Sequence, residues 1–248
     1  MKYGLLTDRG IVRKKNEDYV DNFKVSENGH LFVLADGMGG HTKGDVASET
    51  AVTTVIEYFK KHIAVIEKLY KAEDVDKVKE FFKRAIANAN EKVYQLSQKE
   101  EKGGMGTTLV MTYVMQDKAL IANIGDSRVY LHRQEELNQL TTDHSYVQEL
   151  VKMGVITREE AKSHERKNVV TRAIGISAEI QVDFYDLDLQ KKDVLLMCSD
   201  GLSNMVDEKE IEEVLSARYL PLFSCEKLIA IAKQRGGYDN ISSILIYY

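Results

Sequence analysis

An α+β fold built in layers is the prediction, and three observations carry it. Strand-like and helical segments come in blocks rather than in strict alternation. The strand-like runs of the middle third follow one another across short, turn-like connections, which favours antiparallel pairing. Two long segments of the first half keep helical spacing of apolar residues. No repeat, Ser/Gly linker or low-complexity stretch divides the 248 residues, and Pro221 is the only proline. A single domain over residues 1–248, long enough for a substantial core, is expected.

In chain order, short strands are expected near Tyr3–Thr7, Tyr19–Phe23 and Leu31–Ala35. A helix follows over about Asp45–Lys61, with Val46, Ala47, Ala51, Val55, Ile56 and Phe59 on one face. A second helix keeps Val75, Val78, Phe81, Phe82, Ala85, Ile86, Ala89, Val93 and Leu96 in register. Strands then run over Thr107–Met115, Ala119–Ile124 and Arg128–His132. Short helices over Ser145–Met153 and Thr157–Ser163 come next, the latter opening on a Thr157…Glu160 capping-box spacing. Strands resume at Ile180–Leu187 and Val194–Cys198. Helices over Glu208–Leu215 and Cys225–Gln234 follow, the second stopping at Gly236-Gly237. A strand over Ile241–Tyr248 closes the chain.

Composition narrows the function. Hydrophobic residues make up 44% and charged residues 29%, the usual balance of a globular protein. A net charge of −5 argues against nucleic acid as partner, because phosphate backbones favour basic faces. No apolar stretch approaches the ~20 residues of a membrane span, and the N-terminus lacks the apolar core of a signal peptide. Cys198 and Cys225 have no metal-type spacing, and Cys198, in an apolar run, reads as a reduced core residue. A cytoplasmic protein is expected.

Four acidic residues carry the chemistry. Asp36 ends LFVLADG, Asp126 ends LIANIGDS, Asp200 ends VLLMCSDG, and Asp239 stands just before the last apolar run. A buried strand ending in a carboxylate aims it at the sheet edge, and several such ends can converge. Converging carboxylates repel and need a cation, and oxygen-only ligands point to a hard divalent ion. Asp-Gly between apolar runs is also a hairpin signal. Asp36-Gly37 and Asp200-Gly201, however, each lead toward a helical pattern rather than a returning strand. The glycine-rich stretch Gly37–Gly44 could suggest a nucleotide loop, but it lacks the Gly-Lys-Ser/Thr ending. Arg13, in the charged stretch Arg13-Lys14-Lys15-Asn16-Glu17-Asp18, offers a planar fork for phosphate, and Glu17 a further oxygen.

Taken in order, Arg13 to Asp18, Ala35-Asp36-Gly37-Met38-Gly39-Gly40-His41, Gly104-Met105-Gly106-Thr107-Thr108, Asn123-Ile124-Gly125-Asp126-Ser127-Arg128, Thr142-Asp143-His144-Ser145, Thr171-Arg172-Ala173-Ile174-Gly175, Cys198-Ser199-Asp200-Gly201 and Asp239-Asn240 form a series. It resembles the PPM family of metal-dependent serine/threonine protein phosphatases, the type 2C class, in its compact bacterial form, over essentially the whole chain. The resemblance implies a four-layer α-β-β-α sandwich of two antiparallel sheets flanked by helix pairs. It implies a binuclear Mn²⁺ or Mg²⁺ centre at one end. Asp36 would bridge both ions, Glu17 and the Gly37 carbonyl would complete one shell, and Asp200 and Asp239 would hold the other. Asp126 with Asp200 matches a third, weaker site; its other reading is a turn residue capping a strand. Arg13 matches the phosphate-binding arginine. Attack by a metal-bridging water, without a phosphoenzyme, is implied.

One departure stands out. The histidine that eukaryotic members place after Asp-Gly is Met38 here. His41 and His144 are the nearby alternatives, each with an equally plausible loop or structural role, so the general acid is unassigned. The charged segment from Tyr146 to Val170 corresponds to the flap of bacterial members, read either as a lid that contacts peptide or as a solvated helical excursion. The implied partners are phosphorylated proteins and a membrane-anchored serine/threonine kinase whose action the enzyme reverses, with the phosphatase itself a monomer. The competing function is a catalytically inactive phosphoprotein-binding module, which loss of a metal carboxylate would mark; Asp36, Asp200 and Asp239 are all present.

Overall fold

A computed structural model describes residues 1–39, 43–72, 74–99 and 104–248. Two antiparallel sheets stack face to face. The first takes β1 (Lys2–Asp8), β7 (Arg128–Arg133), β8 (Glu136–Gln139), β10 (Val194–Cys198) and β11 (Ile241–Tyr247) in the order β1-β11-β10-β7-β8. The second takes β2 (Asp18–Lys24), β3 (Gly29–Gly39), β5 (Leu109–Met115), β6 (Lys118–Ile124) and β9 (Asp183–Asp188) in the order β2-β3-β5-β6-β9, with β4 (Met105–Thr107) paired to β3. Helices α1 (Gly44–Lys61), α2 (Ile63–Lys71) and α3 (Val75–Ser97) belong to the second sheet's side. Helices α6 (Asp200–Ser203), α7 (Glu208–Ser216) and α8 (Pro221–Gln234) belong to the first sheet's side. Helices α4 (Tyr146–Lys152) and α5 (Arg158–Ser163) form an excursion between β8 and β9.

The period-2 alternation of strands sorts the side chains into three cores. Phe32 and Leu34 of β3 point between the sheets, against Leu195 and Met197 of β10 and Ile244 of β11. Their neighbours Leu31, Val33 and Ala35 point the other way, onto Val55, Phe59, Phe82 and Ile86 of the helices. On the far side, Val194, Leu196 and Cys198 pack against Leu202, Ile211, Leu215 and Leu228. Central strands buried on both faces explain why the sequence reads there as unbroken apolar runs. The four-layer sandwich is the fold the resemblance implied.

Local differences have local causes. The expected strand over 107–115 is two strands. At Thr108 the chain changes partner, so Met105–Thr107 pairs with Gly37–Gly39 and Leu109–Met115 with the earlier part of β3. Helix α8 begins at Pro221 rather than Cys225, because proline at the first helical position loses no hydrogen bond. The strand expected from Ile180 begins at Asp183. Helix α2 and strand β8 were not expected. The α1–α2 break falls at His62, which carries no glycine or proline signal.

Candidate active site

The carboxylates gather at one end of the sandwich because the strand register puts them there. Asp18 opens β2 and lies opposite Asp36 of β3. Asp200 follows β10 directly, at the first turn of α6. Asp239 and Asn240 lead into β11. Asp126 lies in the link by which the chain leaves β6 of one sheet and enters β7 of the other. Asp36 is not the last residue of its strand, as the sequence suggested. β3 continues through it to Gly39, held by the new pairing with β4. The Asp36 carbonyl accepts from Thr108 N–H at 2.8 Å and Thr107 Oγ1 at 2.9 Å, and its N–H donates to Thr108 Oγ1 at 2.9 Å.

Neither Asp-Gly pair is a hairpin turn. A Cβ on Gly37 would meet the Gly44 carbonyl at 2.1 Å, and one on Gly201 would meet the Asn240 carbonyl at 2.0 Å. These glycines let two backbones pass in contact beside each acid. Asn240, buried, ties the same corner: Nδ2 donates to the carbonyls of Arg9 and Lys15 at 2.8 and 2.9 Å, and Oδ1 accepts from Glu17 N–H at 2.8 Å. That clamp fixes the loop bearing Arg13 and Glu17. Glu17 Oε1 in turn accepts from Gly44 N–H, at the start of α1, at 3.2 Å.

The electrostatics are those of carboxylates crowded out of water. Burial, then the charges of Asp18, Asp200, Asp126 and Asp239, hold the Asp36 carboxyl well above its ordinary range. Burial raises Asp18 to about 7 against the hydroxyls of Ser242 and Ser199, with Asp200 and Asp239 adding to the rise. Burial and Asp200 raise Asp126 to about 8. Burial and Asp239 raise Asp200, against a hydrogen bond with the Asp36 carboxyl. Arg128, in a bidentate pair with Asp143 at 2.7–3.1 Å, is a cation that eases the charge on Asp126 and Asp200.

The donor set suits a hard divalent ion. It offers oxygen alone, its buried carboxylates raise one another's pKa, and the buried Asp18 Oδ1 has no hydrogen-bond partner. Among the described residues, no three acidic, histidine or cysteine side chains are grouped closely enough to hold an ion as they stand. Neighbouring donors engage two of them: Arg13 Nη2 lies 2.7 Å from Asp239 Oδ2, and Asn204 Nδ2 donates to Asp200 Oδ2 at 3.1 Å.

Of the residues picked out by sequence, Arg13, Glu17, Asp36, Gly37, Asp126, Asp200 and Asp239 come to this one corner. His144 has a different task. Its Nδ1 accepts from Gly125 N–H at 3.0 Å, so Nε2 bears the proton and donates to Asp183 Oδ2 at 3.1 Å. Burial holds its pKa below the ordinary value. It is a neutral tie between the Asp126 loop, the start of the α4–α5 excursion and β9. His41 lies outside the described residues. Both thiols are buried, with burial pushing Cys198 up to about 12 and Cys225 to about 11, so neither is a nucleophile.

Asp18 and Asn240 fall within the sequence motifs, where no local pattern assigns either a role. Asp18 Oδ2 accepts from Ser199 Oγ at 2.8 Å and Ser242 Oγ at 2.7 Å, which links the two sheets under the site. The available signal was Asp18 opening an alternating strand directly after Glu17.

Comparison with known proteins identifies the family. The family model described as protein phosphatase 2C matches residues 11–234. The chain is 41% identical to the protein phosphatase PhpP of Streptococcus pneumoniae over 246 residues, covering 99% of this chain and 97% of that one. Among solved structures, the serine/threonine phosphatase of S. agalactiae superposes with a TM-score of 0.91 at 36% identity, covering 99% and 98% of the two chains. The catalytic domain of the serine/threonine protein phosphatase PstP, in complex with two manganese ions, does so with a TM-score of 0.80 at 33% identity, covering 98% and 96%.

Proposed function

The chain belongs to the protein phosphatase 2C family, and from that premise we infer that it is a metal-dependent serine/threonine protein phosphatase. The observation that carries the reading is the corner itself. Buried, mutually repelling carboxylates from both sheets meet there beside an exposed arginine fork. Glu17, Asp36 and the Gly37 carbonyl would hold one ion, and Asp36, Asp200 and Asp239 a second. Asp126 with Asp200 would hold a third more weakly. Bound there, Mn²⁺ or Mg²⁺ supplies Lewis acidity that acidifies a water and draws charge from phosphoryl oxygens. The manganese pair in the PstP structure supports the count of two.

The chain's own residues do the rest. Arg13 and a cation would compete for Asp239 Oδ2, and an ion bound there would leave the Arg13 guanidinium to the phosphoryl oxygens. Its guanidinium orients the phosphorus for in-line attack and adds charge stabilisation. With both thiols buried and protonated, a cysteinyl-phosphate intermediate is excluded, which fits direct hydrolysis. His144 is neutral and bonded through both nitrogens, so we assign the leaving-group proton to a water in the cleft.

The whole span 1–248 acts as one catalytic unit, a cytoplasmic monomer, with a flap over about 146–170. No helix among the described residues is long and apolar enough to cross a membrane. Phosphorylated proteins and a serine/threonine kinase that the enzyme opposes are its partners. The alternative of an inactive phosphoprotein binder requires a missing ligand, and Asp36, Asp200 and Asp239 all stand in place.

The test is phosphate release from a phosphothreonine peptide. Turnover should require Mn²⁺ or Mg²⁺ and fall about a hundredfold or more in Asp239→Asn, on the scale of losing one charge-stabilising group. Full activity in that variant would mean the ligands are misassigned.

A further inference from the structure

The loop before Glu17 is basic, with Arg9, Arg13, Lys14 and Lys15, yet two consecutive β-branched residues interrupt it. Ile11 and Val12 are each 58% exposed, and Tyr238, on the facing loop, is 62% exposed. Single exposed apolar residues are ordinary. Here the three stand on two loops whose backbones are tied together. The N–H groups of Ile11 and Val12 both donate to the Gly237 carbonyl, at 2.8 and 3.3 Å. Gly10, at φ +77°, lies so near the facing loop that a Cβ on it would meet the Asp239 carbonyl at 2.1 Å. The Tyr238 ring lies against Gly236, at φ +118°, where a Cβ would meet it at 2.6 Å. Gly10 and Gly237, the latter at φ +50° with a Cβ that would meet Ile11 Cγ1 at 3.2 Å, are the glycines that let the loops close on each other.

This apolar ledge is joined directly to the phosphate corner. Val12 precedes Arg13 and Tyr238 precedes Asp239, and the side chains of Arg13 and Asp239 are 2.7 Å apart. An extended peptide advances about 3.3 Å per residue. A substrate whose phosphoryl group sits at Arg13 and whose chain runs along this loop pair brings its next one or two side chains within reach of Ile11, Val12 and Tyr238.

We propose that Ile11, Val12 and Tyr238 form a docking ledge for an apolar side chain within two positions of the phosphorylated residue, and so set substrate preference. The inference rests on the phosphatase reading and adds a substrate class to it. The ledge touches the neighbouring side chain and not the reacting group. It therefore discriminates among peptides and is indifferent to a substrate that is only a phosphate ester.

Three phosphothreonine peptides, alike except for leucine, serine or aspartate at the flanking positions, test this beside p-nitrophenyl phosphate. An open apolar contact should favour the leucine peptide over the serine peptide by about tenfold in kcat/KM, at the low end of what a hydrophobic pocket discriminates. The double variant Ile11→Ser, Tyr238→Ser should bring that ratio close to one. Its rate on p-nitrophenyl phosphate and its Mn²⁺ response should match the wild type. A wild-type ratio near one overturns the ledge. So does a variant equally slowed on all four substrates, or an aspartate peptide that outruns the leucine peptide, which would give selectivity to the basic residues. Absence of wild-type turnover on p-nitrophenyl phosphate with Mn²⁺ counts against the phosphatase reading instead. The ledge is then read from equilibrium binding of the same peptides, where the tenfold order is expected and equal affinities overturn it.

Discussion

Replacing Asp18 by asparagine separates the cost of burying these carboxylates from what a cation returns. Asp18 lies opposite Asp36 in the β2–β3 pairing, with Oδ2 on two serine hydroxyls and Oδ1 unpartnered. Asparagine keeps the shape, and an oxygen for the serines, while removing the charge. The carboxyl is raised from 3.8 to about 7, chiefly by burial. Because the folded group holds its proton to higher pH than the unfolded chain does, its contribution is complete below about pH 4 and is lost as pH rises through about 7. At ~1.4 kcal/mol per unit, the cost above that pH is roughly 4 kcal/mol. Asp36 and Asp200 share it, so the single substitution should recover about 1–3 kcal/mol. The assay is urea unfolding followed by circular dichroism, after chelation, at about pH 5 and about pH 8.5. The variant should match the wild type within ~1 kcal/mol at the lower pH and exceed it at the higher. Saturating Mn²⁺, at about a thousand times Kd, should stabilise the wild type by ~4 kcal/mol and the variant by less. A variant destabilised equally at both pH values would refute the reasoning, because Asp18 would then be a plain hydrogen-bonding residue.

Two further substitutions separate roles within the corner. Arg13→Ala should raise KM and lower kcat while calorimetric Mn²⁺ affinity stays the same or rises slightly, since Asp239 loses a competing cation; a large fall in metal affinity with unchanged KM would reverse the assignment. Asp126→Ala should fold, bind two ions tightly and turn over more slowly, with the change confined to the millimolar range of Mn²⁺, where a site with few protein ligands fills; lowered thermal stability with an unaltered Mn²⁺ curve would return Asp126 to the turn-residue reading.

Much of the candidate site was legible because its proposed ligands occupy strand ends, where apolar runs stop at an acid. Asp200 after Val194–Cys198 and Asp239 before Ile241 are both such ends. The fold was legible where alternation or helical spacing was long, as in Val75–Ser97. It was not legible where the deciding event is a contact between distant segments. The change of partner at Thr108 depends on β3 running past Asp36, and no local pattern records it. Helix α2 follows α1 across His62 with nothing in the sequence to separate them. Asp18 and Asn240 are polar residues that composition assigns to the surface, and only the stacking of the two sheets buries them. His144, an open candidate for acid catalysis in the sequence, takes a backbone N–H on its Nδ1 that no local pattern records.

Counting bound Mn²⁺ tests the central claim most directly. Isothermal titration of the chelated protein should find two tightly held ions per chain in the wild type. Asp36→Asn, with its circular dichroism spectrum unchanged, should retain neither tightly, because the proposed carboxylate serves both. A wild type that takes up no Mn²⁺ at micromolar concentration, or an Asp36→Asn protein that still binds two ions with unchanged affinity, would contradict a metal centre built on these carboxylates.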